Sequence, residues 1–168
     1  MRPDDMLDYC LANLPGTVLV DSWGERGIFY NLDNALKRGV YVLTVKEKDG
    51  DNDKGSSLNR ENIFRVNIGV RKSTFVGMFG TLPARPAKGG IVDMPFDFTQ
   101  ADTILPHPVY AWMGWVCAFS PSAATFERLK PLIHEAYEYA KEKFSKRKPK
   151  INNDVANKKE DCNEMHDD

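Results

Sequence analysis

Five residues of this sequence have the types that a small-molecule site needs: Asp21, Trp23, Tyr30, His107 and Trp112. Histidine titrates near neutral pH, an aspartate can orient it, and aromatic rings supply flat apolar walls. Arg65, Arg71 and Lys72, with Arg85 and Lys88 further along, could instead meet the phosphates of a nucleic acid. Asp49, Asp51 and Asp53 alternate as calcium ligands do. The glycine and the bidentate glutamate of an EF-hand loop are not at their required positions, so a solvated loop is expected there. Asp93, Asp97 and Asp102 make a second carboxylate set, but no histidine ligand spacing accompanies it. No metal and no cofactor are therefore expected. No P-loop, GxGxxG, G-x-S-x-G or H-E-x-x-H motif occurs, and no residue is assigned a catalytic role.

Each candidate also has a plainer reading. His107 stands between Pro106 and Pro108, where a loop histidine bonded to backbone is expected. His134 is expected on a helix surface. Trp112 belongs to "HPVYAWMGWVCAFSPS", in which both alternating sets of residues are apolar. Such a stretch reads as a central strand covered on both sides, over Val109–Phe119. Trp112 is then either core or, with Gly114 leaving a gap beside it, the floor of a pocket. For the cations the plainer reading is a solvated surface.

The elements that must position these residues follow from periodicity. "RPDDMLDYCLANLPG" predicts a helix, with Pro3 in its first turn, Asp4 and Asp5 at its positive end, and Cys10 buried on its apolar face. "TVLVDSW" and "GIFYN", separated by Gly24 to Gly27, predict a hairpin. "GVYVLTVKEKDG" is a third strand, and "DGDNDKGSSLNRE" a polar, mobile hairpin tip. In "NIFRVNIGV", Phe64, Val66, Ile68 and Val70 point one way, which leaves Arg65, Asn67 and Gly69 on a polar outer face. "RKSTFVGMFG" predicts a short helix closed by Gly80. A proline-rich connection from Leu82 to Pro108 follows, long enough to suggest a functional loop. Within it, "DFTQADTIL" could make a turn or two of helix capped by Asp97 or Thr99. The last helix is expected to start at Ser120-Pro121 and to kink or break near Lys130, ahead of Pro131.

Of 168 residues, 42% are apolar and 28% charged, a balance that suits one folded domain with a real core. The net charge of −1 argues against duplex DNA or an anionic membrane as a partner of the whole molecule. The longest apolar run is far shorter than the ~20 residues of a spanning helix, and "MRPDDMLDYC" lacks the apolar core of a secretory signal. Three widely spaced cysteines, Cys10, Cys117 and Cys162, fit a reducing cytoplasm better than a disulfide framework. The domain is expected over residues 1–145, with a disordered charged tail over 146–168.

A leading "LDYCLANLPG" helix, a sheet, and a late tryptophan-bearing strand followed by a helix with "EAYEYA" resemble the bacterial MmcQ/YjbR-like domains. "HPVYAWMGWVC" with "PSAATFERLKPLIHEAY" is similar to a branch of uncharacterised bacterial proteins that carry a domain of unknown function. The resemblance implies a single α+β domain of CyaY-like fold, an antiparallel sheet packed against N-terminal and C-terminal helices. It also implies a double-wing DNA-binding motif. Two functions stay open: a non-enzymatic module for a protein or a weakly bound nucleic acid, and a small-molecule protein or enzyme with a pocket near Trp112 and the proline-rich insert.

Overall fold

Proline has no N–H to lose in a first helical turn, and Pro3 starts helix α1 (Pro3–Asn13). Asp4 and Asp5 sit at the positive end of α1, and Met6, Leu7 and Cys10 are buried from it. The computed structural model describes residues 1–22 and 24–147. After α1 come β1 (Thr17–Ser22), β2 (Glu25–Tyr30), β3 (Val40–Lys46), β4 (Arg65–Gly69), α2 (Lys72–Phe79), β5 (Ile104–Pro106), β6 (Trp115–Phe119) and α3 (Ala123–Arg147). The strands make one sheet in the order β1-β2-β3-β4-β6-β5, with every pair antiparallel. The fold is α+β, as the order of elements predicts. Among the described residues, no helix is long and apolar enough to cross a membrane. Residues 148–168, most of the expected tail, lie outside the described residues.

The pleat assigns the two faces of the sheet. Ile28, Leu43, Ile68 and Val116 are in register across four strands and belong to the main apolar core. Phe126, Leu129, Ile133, Ala136 and Phe144 of α3 and Met6, Leu7 and Cys10 of α1 belong to the same core. The opposite rungs read Gly27–Thr44–Asn67–Cys117 and Glu25–Lys46–Arg65–Phe119. Leu58, Leu105, Cys117 and Phe119 form a small second core with these rungs.

Several local expectations need correction. The face bearing Arg65 and Asn67 is not an outer face, since both residues are buried (0% and 1% exposed). The segment after β3, read as a solvated tip, folds back instead and buries Asp53, Ser56 and Leu58. The stretch 109–119 is not one strand. Ala111–Met113 is a 3₁₀ turn, and Gly114 at φ 94° reverses the backbone before β6 begins, a conformation that suits glycine. Pro131 does not end the helix. α3 runs through it, because apolar residues continue at helical spacing on both sides. The cap of α3 is Ser122 rather than Ser120: the Ser122 hydroxyl accepts the Thr125 N–H at 3.2 Å. Ser120 instead ties its hydroxyl to the Phe64 N–H and the Asn62 carbonyl. In "DFTQADTIL" no helix forms. Asp97 accepts the Thr99 N–H and hydroxyl at 3.0 and 2.6 Å, a local turn that competes with helix.

Candidate functional site

The buried face of β4 holds a charge, and everything around it is arranged to satisfy that charge. Arg65 donates to both Asp53 oxygens (2.9 Å from one nitrogen), to Ser56 Oγ at 3.0 Å and to Asn67 Oδ1 at 2.6 Å. Asn67 in turn donates to Thr44 Oγ1 at 3.0 Å, and the ammonium of Lys46 lies 3.5 Å from Glu25. Burial alone would raise the Asp53 carboxyl; the Arg65 guanidinium outweighs it and holds the carboxyl at about 2. The ion pair is therefore intact at all ordinary pH.

His107 sits beside this pair, 2% exposed. Its Nδ1 accepts the N–H groups of Val109 and Tyr110, both at 3.0 Å, so the expected backbone-bonded histidine is what the fold contains. Burial, and then the Arg65 charge, push the imidazole well below its ordinary value. It is a neutral acceptor fixed by the backbone. Neither His107 nor Asp53 is free to act as a base. Burial also pushes the Cys10 and Cys117 thiols up to about 12, so neither is a ready nucleophile.

What the network does is position backbone. Asp53 pins the segment that carries Asn52, and His107 pins the turn that carries Val109, Tyr110 and Trp112. Between them the insert contributes Arg85 to Gly89, and the three segments line an open cleft of about 280 Å³. The Arg85 guanidinium lies over the Trp112 ring, 4.9 Å from its centroid. Among the described residues, neither Arg85 nor Lys88 has a carboxylate partner. The cleft thus offers an aromatic wall, two unneutralised cations, and the polar groups of Asn52 and Tyr110.

Of the five small-molecule candidates, His107 and Trp112 come together, one behind the cleft wall and one in it. Asp21 is exposed on β1 at the opposite edge of the sheet. Tyr30 is in the main core, edge-on to Tyr137 and Phe144. Trp23 lies outside the described residues. Of the expected nucleic-acid contacts, Arg65 is enclosed, because the folded-back segment supplies its counter-ion. Arg71 is held by both oxygens of Glu142 at 2.8 and 2.6 Å, and Lys72 is exposed. The residues that sequence reasoning missed are Asn52 and Tyr110 in the cleft and the pairing of Asp53 with Arg65 behind it. An arginine in the middle of an apolar strand was the one signal that pointed to them.

No curated protein matches the chain. The crystal structure of a structural-genomics target from Pseudomonas syringae is similar to it at 11% identity and a TM-score of 0.44, covering 83% of this chain and 99% of that one. Residues 1–149 match a family of unknown function, DUF6194, and the chain belongs to that family.

Proposed function

We propose that the protein is a binding module for a small anion with a flat apolar body, held in the cleft between Trp112 and the proline-rich insert. The stacking of Arg85 on Trp112 carries this reading. A guanidinium without a carboxylate partner, parked on an indole, is ready for a carboxylate or phosphate, and the ring beside it takes the ligand's flat part. At about 280 Å³ the cleft matches the low end of small-molecule pockets, ~300 Å³, which suits a ligand of about one ring.

A protein or weakly bound nucleic-acid partner has less behind it. With Arg65 enclosed and Arg71 paired, Lys72 is the one of the three expected cations left exposed without a carboxylate. The finer kinship with MmcQ/YjbR-like domains of CyaY-like fold rests on the two end motifs and on the helix–sheet–helix order. Two buried free thiols, Cys10 and Cys117, support a cytoplasmic location.

The test is a titration with benzoate, phenyl phosphate and benzyl alcohol, followed at the Trp112 indole N–H by NMR. The two anions should give saturable shifts, benzyl alcohol far weaker ones, and Arg85→Ala should weaken the anions at least tenfold. Equal responses to all three probes, or no change in Arg85→Ala, would refute the reading.

A further inference from the structure

The strap that carries Arg85 is built stiff. Pro83 and Pro86 fix their own φ and push the residues before them, Arg85 among these, towards extended backbone. The Gly90 N–H then donates to the Ala87 carbonyl at 2.8 Å, with Gly89 at φ 79°. That is a type II turn, whose third residue is glycine because of its positive φ, and Lys88 stands at the corner. Both ends of the strap are tied down. Leu82 packs against the main core at one end. At the other, Val92 is buried and its N–H donates to the Pro108 carbonyl at 2.8 Å. Ile91 lies against Gly55 of the folded-back segment, where a Cβ would come to 2.3 Å from the Ile91 Cγ2. Arg85 and Lys88 are thus two cations on one stiff strap, lining one cleft.

Among the described residues, no carboxylate lines that cleft and neither cation has an ion pair. Tyr110 lines it as well. Burial, and then the Asp53 and Glu25 charges, raise the Tyr110 hydroxyl, so it stays protonated and can donate. Arg85 is near enough for its charge to act on that hydroxyl. The cleft therefore offers an anion a guanidinium, an ammonium and a phenol. A carboxylate has two oxygens and one charge to meet them. A phosphate monoester has three terminal oxygens and, at neutral pH, close to two charges.

We propose that the ligand of this cleft is a phosphate monoester carried on a single aromatic ring. The proposal rests on the cleft being an anion site and adds the class of anion. Arg85 takes two phosphate oxygens in its planar fork, Lys88 meets the second charge as a point cation, and the Tyr110 hydroxyl donates to the remaining oxygen. Trp112 and Pro86 seat the ring.

Phenyl phosphate and phenyl sulfate are the probes, since they share a shape and differ by about one charge at pH 7.5. Each is titrated into the full chain at one fixed ionic strength and followed at the Trp112 indole N–H by NMR. Phenyl phosphate should bind about fivefold more tightly, which is what one good exposed ion pair adds. Lys88→Met should cut that preference to about twofold or less, and Lys88→Arg should keep it. Equal affinities in the unaltered chain would overturn the proposal, as would a preference that Lys88→Met leaves undiminished. In both of those cases the anion cleft itself still stands, so long as both probes bind and Arg85→Ala weakens both. If neither probe binds, the cleft reading falls and this proposal falls with it.

Discussion

The two faces of the sheet solve burial in opposite ways. The helix face is covered by α1 and α3 through aliphatic and aromatic side chains, and its stability is spread over many interchangeable contacts. The other face is covered by a folded-back loop, with Arg65, Asp53, Ser56, Asn67 and Thr44 joined beneath it. The contrast teaches where this molecule is brittle. An apolar core loses energy in proportion to what is removed, whereas a sealed ion pair fails as a unit when one member goes.

The sharpest way to break this comparison is Asp53→Ala. It strands the Arg65 guanidinium without its counter-ion and should cost about 3–5 kcal/mol in urea unfolding. Replacing both partners, Asp53→Leu with Arg65→Met, should recover most of that loss. A double variant as unstable as the single one would mean that the loop is held by something other than the pair. On the helix face, Leu129→Ala should cost about 3 kcal/mol and Leu129→Met less than about 1.5 kcal/mol. If the methionine variant were as damaged as the alanine one, the helix face would not be tolerant after all.

The smallest effect concerns pH. His107 titrates well below its ordinary value in the fold, so as pH falls the unfolded chain takes up the proton first. Stability should therefore decline below about pH 6.5, by up to ~1.4 kcal/mol per pH unit, and be fully present above it. His107→Asn keeps an acceptor where Nδ1 was and cannot titrate there, so its profile between about pH 6.5 and 5 should be flatter. Parallel profiles would show that the folded histidine charges as easily as a free one.

How legible each face was in the sequence follows from the same difference. The helix face announces itself locally. Phe64, Val66, Ile68 and Val70 alternate, Phe126, Leu129, Ile133 and Ala136 recur at helical spacing, and all are buried. The other face depends on a pairing that no local pattern encodes. Asp53 sits among Asp49, Asp51 and Lys54 and looks solvated like them, yet its partner is twelve residues away on β4. The cleft inherits that opacity, because its walls are placed by the pair and by His107 rather than by their own periodicity. Trp112 was visible as a pocket candidate through its Gly114 neighbour, although the turn that presents it was not.

The strand order has a consequence for how the molecule meets its own copies. At one edge β5 has three residues and ends in Pro106, which has no N–H to offer a further strand. At the other edge β1 runs for six residues and carries the exposed side chain of Leu19. A proline stops growth on one side and leaves the other unguarded, so fibrillar association of crowded or partly opened chains would start from β1.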